Sequence, residues 1–295
     1  MKVLVTGGAG FVGTNLIIRL LEDGHEVVSI DNYSTGKPDN EQKGCRYFGG
    51  NLSEKIHTIV AEAWPLDNVD IIFHLAARAR IQPSFKTPVE SFKSNVLATQ
   101  NVLEYARLND VPVIYAGSSS KHGNVYSNPY TFTKWQGEEL CKLYYEVYNL
   151  NVTICRFYNV YGPYQLTDGP YCTVVGIFQE QYKKGEPLTI TGDGEQRRDF
   201  THVDDIVDGL IIVSNRLTLF KGGHIAGEEF ELGRGKNYSI NEIVNAFGEE
   251  YPRKHIGELP GEMRETLCTD TKAREEIGWK PTRDVIKYIK ETKEP

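Results

Sequence analysis

The stretch KVLVTGGAGFVGTNLIIRLLEDGHEVVSID, Lys2 to Asp31, decides the fold. Val3, Leu4 and Val5 form a short apolar run that reads as a buried strand. The chain then turns on Gly7, Gly8, Gly10 and Gly13. Leu16, Ile17, Leu20 and Leu21 follow at helical spacing, and Gly24 closes that helix. A second apolar run, Glu26 to Ile30, ends in Asp31. Strand, glycine turn, helix, strand and acid is the order of a dinucleotide-binding βαβ unit. An ordinary βα turn is the plainer alternative, and the flanking strand, helix and acid together argue against it.

Each part has a physical reason. A helix N-terminus exposes unpaired N–H groups and a partial positive charge, which attract a pyrophosphate. Glycine lets the phosphates approach with no Cβ in the way. Asp31, at the end of the second strand, can accept hydrogen bonds from both hydroxyls of an adenine ribose. A carboxylate there repels a 2′-phosphate, so NAD is expected rather than NADP.

Working outward, the 295 residues suffice for one large or two modest domains. A net charge of −7 argues against general nucleic-acid binding, which needs a basic stripe. An anionic small ligand then requires a local concentration of arginines. The first apolar run is too short for a signal peptide, and no stretch approaches the roughly 20 apolar residues of a membrane span. The cysteines, 45, 141, 155, 172 and 268, are scattered and lack CxxC spacing. A cytoplasmic protein without a metal site is therefore expected.

Strands and helices alternate as far as about residue 157, the pattern of a doubly wound parallel sheet of Rossmann type. A helix is expected after Asn51 as far as about Trp64, a strand over Val69–Ala77, and a long helix over Pro88–Asn109. A strand over Val111–Ala116, a second long helix over Pro129–Asn149 and a strand over Asn151–Phe157 complete the run. Small residues Ala76 and Ala77 end one strand, where open α/β sheets bind ligands. After Tyr161-Gly-Pro the alternation loosens. A helix is expected around Val174–Lys184, a strand at Leu188–Thr191, and a strand-to-helix step over Phe200–Val213. A helix capped by Ser239 with Glu242 three residues on follows, then a helical, charged tail. Residues 1–165 with about 199–235 form the expected NAD-binding domain. About 166–198 with 236–295 form a smaller, interleaved α/β substrate domain.

The cluster that can do chemistry is Ser118, Tyr130 and Lys134. Tyr130 and Lys134 lie one helical turn apart on one face of the second long helix. A phenol ionises near pH ~10, and a neighbouring ammonium favours the phenolate. A phenolate can take the proton of a hydroxyl while a hydride leaves the same carbon for nicotinamide. Ser118, just after a central strand, can hydrogen-bond the same oxygen. A Tyr–Lys pair alone is commonplace, with a packed tyrosine beside a solvated lysine. The glycine turn upstream gives it its meaning.

At this point the chain resembles the extended short-chain dehydrogenases/reductases, specifically the NAD-dependent nucleotide-sugar epimerase/dehydratase group that includes UDP-glucose 4-epimerase. The likeness rests on Thr6-Gly-Gly-Ala-Gly-Phe-Val-Gly13, Asp31-Asn32, His74-Leu-Ala-Ala77 and Tyr130-x-x-x-Lys134. It continues through Arg156-Phe-Tyr-Asn159-Val-Tyr-Gly-Pro163, Gly192-Asp-Gly-Glu-Gln-Arg-Arg198 and Gly278-Trp-Lys-Pro281. It implies NAD against Gly7, Gly10, Phe11, Val12 and Gly13, against Asp31, Asn32, Asn51 and Leu52, and against Leu75, Ala76 and Ala77. Lys134 would also hold the nicotinamide ribose beside Tyr130, and Asn95 would contact the cofactor side. Asn159 would hold the diphosphate of a nucleotide sugar, with Arg198 and Arg264 as its clamp, since guanidinium matches phosphate oxygens bidentately. The plainer role of Arg198 is an ion pair with Asp199 or Asp204. Arg197 and Arg80 read as rim charges. The chain departs from the family at Asn51, where an Asp is usual, and in a short segment between Ser118 and Tyr130 that carries Lys121-His122-Gly123. Counting back from Gly123 selects Ser118 over Ser119 and Ser120.

Members of this group first oxidise the sugar C4. Dehydratases then use an Asp-Glu pair after the catalytic Ser/Thr, and glucuronate decarboxylases a Glu. Here those positions are Ser119 and Ser120. The resemblance therefore implies a 4-epimerase, with a UDP-hexose as the expected substrate and Thr266–Cys268 near the sugar. A dehydratase, decarboxylase or reductase of the same family is the alternative. A non-catalytic NAD-binding regulator is another, opposed by the intact Tyr130 and Lys134. A homodimer is expected through the helices at 88–109 and 129–149, whose apolar residues, Trp135, Leu140, Tyr144 and Tyr148 among them, exceed one face.

Overall fold

The structure is a computed structural model describing residues 1–54, 68–219 and 225–293. Seven parallel strands form its main sheet: β1 (Lys2–Thr6), β2 (Glu26–Asp31), β3 (Cys45–Gly49), β4 (Ile71–His74), β5 (Val113–Ser118), β6 (Val152–Phe157) and β9 (Glu229–Leu232). Their order is β3-β2-β1-β4-β5-β6-β9. The chain winds one way from β1 and the other way from β4, so the sheet reverses between these two neighbours, where open α/β sheets place their ligand.

The strands read as unbroken apolar runs because both faces are covered. Val3 and Val5 point to one side, with Leu16, Ile17 and Leu20 of helix α1 (Phe11–Glu22) and with Ile206 and Leu210. Leu4 points to the other, with Val102, Leu103 and Tyr115. Each such fully buried aliphatic side chain contributes about 1.5–3 kcal/mol of transfer free energy. Ala273, Ile277 and Trp279 pack into the first of these layers. Residues 273–279 thus return to the main sheet, although the domain division expected them in the smaller lobe, whereas Val285 and Ile289 beyond them join the smaller lobe's core.

The smaller lobe has its own core of Val175, Phe178, Leu188, Ile190, Phe200, Ile243 and Phe247. It carries two paired-strand sheets. In one, β8 (Arg197–Asp199) pairs antiparallel with β10 (Asn237–Ser239). In the other, β7 (Leu188–Thr191) pairs parallel with β11 (Arg253–Ile256). The helix Ile240–Phe247 starts with the expected capping box of Ser239 and Glu242. The helices Val174–Lys183 and Pro129–Tyr148 and the strand β7 also fall where the sequence puts them.

Three elements differ. The expected single helix over 88–109 runs as Pro88–Phe92, a π-helical turn at Lys93–Leu97, and Ala98–Asn109. A separate helix, Ile81–Lys86, precedes it. Phe200 begins no strand; the strand is β8, before it, and the helix is Val203–Leu219. The expected helix as far as Trp64 lies largely outside the described residues. Of the apolar residues expected on a dimer face, Tyr144 is buried within the chain and Tyr148 is exposed; Val89, Leu143 and Val147 are exposed as well. No helix among the described residues is long and apolar enough to cross a membrane.

Candidate active site

One cleft of about 360 Å³ lies along the carboxyl ends of the main-sheet strands. At one end Gly7, Gly10, Phe11, Val12 and Gly13 line it, and Asp31, Asn32, Asn51 and Leu52 continue the wall. Leu75, Ala76 and Ala77 lie at its middle. Gly7 has φ +75, and a Cβ there would stand 2.9 Å from the Ala76 backbone. Strand ends and turn are therefore packed backbone to backbone. Gly10 begins α1 with no side-chain cap, so amides of its first turn stay available at the cleft. This cradle fits a pyrophosphate.

Asp31 is buried, and its carboxylate accepts the Ala9 N–H at 2.9 Å and the Tyr33 N–H at 2.8 Å. Burial pushes its pKa up, and these backbone donors oppose the rise. With Asn32 as a third backbone donor, the carboxylate keeps a lone pair for a ribose hydroxyl. Asn51 lines the cleft with its Oδ1 already accepting the Ser53 N–H at 3.1 Å. The residues present fit an NAD molecule laid from Asp31 across the turn.

Ala116, Gly117, Ser119, Ser120, Tyr130 and Lys134 line the cleft where β5 ends. The Tyr130 hydroxyl donates to Ser118 Oγ at 3.1 Å, and Ser118 Oγ lies 2.9 Å from Ser120 Oγ. Ser118 itself stands behind this wall, buried, while Ser120 faces the cleft. Lys134 differs from the sequence-based expectation. Its Nζ donates to the Ala116 carbonyl at 2.6 Å and sits 4.2 Å above the Tyr115 ring. Burial brings its pKa down to about 8. Burial raises the Tyr130 phenol, and the hydrogen bond with Ser118 and the Arg80 charge oppose the rise.

The arginines also rearrange. Arg80 is no rim charge: it lines the cleft, and its Nε donates to the Tyr171 carbonyl at 2.9 Å. Arg78 lines it too, with Nη1 on the Tyr171 hydroxyl at 3.3 Å. The sequence reads Arg80 as a rim charge and does not mark Arg78, because only the path of the chain after β4 turns them inward. Arg197 holds Asn237 and Glu242 outside the cleft. Arg198 lines the cleft, and its nearest acid is Glu262 at 3.6 Å, not Asp199 or Asp204. Arg264 does not join it. Its exposed guanidinium grips Asp193 with both nitrogens at 2.8 Å.

Asn95 is not on the wall either. It is buried in the π-helical turn, accepting the Arg78 N–H at 2.8 Å and donating to Thr133 Oγ1 at 3.0 Å. Ser94 takes the lining position beside it. Asn159 does line the cleft, with φ +23 and its Nδ2 donating to the Asp199 carbonyl and Thr266 Oγ1, both at 2.9 Å. Thr266 lines the cleft, whereas Cys268 is buried behind it.

Behind Ser118 lies a buried ion cluster. Arg156 Nη1 meets Glu231 at 2.6 Å, and its Nη2 meets Glu138 at 2.8 Å and also Glu229. Glu138 accepts the Ser118 N–H at 3.3 Å, and Lys121 adds a contact to it at 3.1 Å. His122 reaches Glu231 at 3.0 Å. The short segment after Ser118 is thereby tied to β6, β9 and the Pro129–Tyr148 helix.

A dinucleotide cradle at a parallel-sheet switch point, with a Ser–Tyr pair at its far end, defines a short-chain dehydrogenase/reductase of the extended type. The chain belongs to the NAD dependent epimerase/dehydratase family, which matches residues 3–226. It is 32% identical to a UDP-glucose 4-epimerase of Mycolicibacterium smegmatis, over 100% of this chain and 98% of that one. Its fold superposes on the UDP-glucose 4-epimerase of Thermotoga maritima, solved with UDP-glucose, with a TM-score of 0.87 and 28% identity, covering 98% and 96% of the two chains. A UDP-glucuronic acid 4-epimerase of Bacillus cereus, solved with UDP-glucuronic acid and NAD, gives 0.86 at 26% identity, covering 99% and 98%.

Proposed function

We propose that the protein is an NAD-dependent nucleotide-sugar 4-epimerase acting on a UDP-hexose. The observation that carries this reading is the Tyr130–Ser118–Ser120 hydroxyl chain, with Ser119 and Ser120 where a dehydratase or decarboxylase needs carboxylates. Tyr130, in its ionised form, accepts the proton of the sugar C4 hydroxyl and later returns it to the same oxygen. Ser118 and Ser120 orient that oxygen through their hydroxyls. Lys134, bonded to the Ala116 carbonyl, fixes the end of β5 beneath them and would hold the nicotinamide ribose. The cradle of Gly7, Gly10 and Gly13 with Asp31 would hold NAD, which would supply the reversible hydride acceptor for the sugar C4.

The cofactor site extends over Gly7, Gly10, Phe11, Val12 and Gly13, with Asp31, Asn32, Asn51 and Leu52 at the adenosine end. Asn159 and Arg198 take the nucleotide diphosphate, and residues 166–198 with 236–272 and the helix Val285–Thr292 form the lobe that receives it. The location is the cytoplasm and the assembly a homodimer.

Proton NMR of the protein incubated with UDP-glucose, UDP-N-acetylglucosamine and UDP-glucuronate, without added reductant, tests the reading. A C4 epimer of at least one substrate is expected. A pentose or a 4-keto-6-deoxy sugar instead overturns it. Tyr130→Phe is expected to lower turnover by about 100-fold or more while NAD stays bound.

A further inference from the structure

We propose that Arg78 holds the diphosphate of the dinucleotide, as the cation that the glycine cradle itself lacks. The proposal rests on the cofactor site of the reading above, not on the reaction that follows there.

The cradle residues Gly7, Gly10, Phe11, Val12 and Gly13 carry no charge. The end of α1 offers about half an elementary charge, less than a diphosphate carries. Arg78 stands next to this cradle. Gly7 packs so closely on Ala76 that a Cβ on it would lie 2.9 Å from the Ala76 backbone. The Ala76 N–H donates to Thr6 Oγ1 at 3.2 Å. Two residues on, the Arg78 N–H donates to Asn95 Oδ1 at 2.8 Å, and Asn95 Nδ2 donates back to the Arg78 carbonyl at 3.3 Å. The backbone of Arg78 is thus fixed beside the turn, and its side chain lines the same cleft.

That side chain has donors to spare. A guanidinium carries its N–H groups in a rigid planar fork. Nη1 of Arg78 reaches the Tyr171 hydroxyl at 3.3 Å, a neutral acceptor. Its Nε is buried and has no partner among the described residues. A buried donor without an acceptor is costly. A phosphate group relieves it, because its oxygens match the guanidinium fork in pairs. The other cations on the cleft wall are engaged elsewhere. Lys134 is bonded to the Ala116 carbonyl, and Arg80 turns its Nε to the Tyr171 carbonyl. Arg198, on β8, has Glu262 at 3.6 Å and belongs to the nucleotide-sugar end. Arg78 is left for the cofactor.

The test uses the full-length protein as wild type, Arg78→Gln, Arg78→Lys and Tyr171→Phe. The rate of NAD release from holoprotein is measured, ADP and adenosine are titrated as competitors for the NAD site, and UDP is titrated calorimetrically into holoprotein. Arg78→Gln is expected to release NAD about 10-fold faster and to weaken ADP about 10-fold, with adenosine and UDP within about twofold of wild type. Arg78→Lys, which keeps the charge but not the fork, is expected to fall between the two. ADP binding that is unchanged, or that falls no more than adenosine binding, overturns the proposal. So does a UDP loss as large as the ADP loss, which assigns Arg78 to the nucleotide sugar. Tyr171→Phe removes the hydroxyl contact alone. An acceleration of NAD release in it equal to that of Arg78→Gln makes Arg78 a support for Tyr171 and also overturns the proposal. If Arg78→Gln does not fold, the ratio of ADP to adenosine affinity in Arg78→Lys decides on the same terms. If ADP weakens as expected in a protein that turns over no UDP-sugar, the epimerase reading fails and the Arg78 assignment stands.

Discussion

His74, at the end of β4, is held neutral. Its Nδ1 lies 2.7 Å from Thr6 Oγ1 and its Nε2 3.0 Å from Thr99 Oγ1, and burial brings its pKa down to about 3. The unfolded chain takes up a proton near pH ~6.5 that the folded chain refuses. Stability from this residue is therefore complete above that pH and is lost as the pH falls towards 3. Urea midpoints are expected to drop between pH 7 and pH 5, and His74→Gln to flatten that dependence; a flat wild-type profile contradicts the assignment. Below pH ~4.5 Glu229, held down to about 2, adds to the loss. Residues of this kind mark the limit of sequence reading. Tyr130, Asp31 and the glycines were legible because type and local spacing define them. Arg264, Asn95 and Arg80 were not, because their partners come from far along the chain. Asp193 is 71 residues from Arg264, and Tyr171 is 91 from Arg80.

Among the elements, the Pro129–Tyr148 helix bears the most on the site, since Tyr130, Lys134 and Glu138 all project from it. Glu138 is fully buried against Arg156 and the Ser118 amide. Removing one member of a buried pair leaves the other uncompensated. Glu138→Gln is expected to destabilise the fold by about 3 kcal/mol, read from urea unfolding, and Arg156→Met, which strands Glu138, Glu229 and Glu231 together, to cost more. A cost below about 0.5 kcal/mol for Glu138→Gln contradicts this. Helices with caps and apolar stripes were legible as elements: Ser239 and Glu242 gave the start of theirs directly. The π-helical turn was not: the bonds of its Asn95 run to the Arg78 backbone, 17 residues away, which local spacing does not show. β11 was hidden for another reason. All its residues are exposed, so no alternation betrays it.

At the scale of the whole molecule, the doubly wound sheet was legible because its strands are apolar on both faces. The two-lobed division was only partly so, since pairing partners return from distant segments. The exposed apolar side chains Val89, Leu143, Val147 and Tyr148 lie on two neighbouring helices and need a cover. Light scattering at micromolar concentration is expected to give a dimer, and Val147→Glu to weaken it; a wild-type monomer refutes it. The interleaving of the sheet has one more consequence. β9, which closes the edge beside β6, and Ile206 and Leu210, which cover α1, all follow residue 200. A fragment ending near residue 165 would carry every cradle glycine and Tyr130, yet present an open strand edge and a bare apolar layer. Expressed alone it would stick to its own copies before it held a nucleotide. A gene cut near residue 165 thus divides the larger lobe itself rather than freeing it as a module.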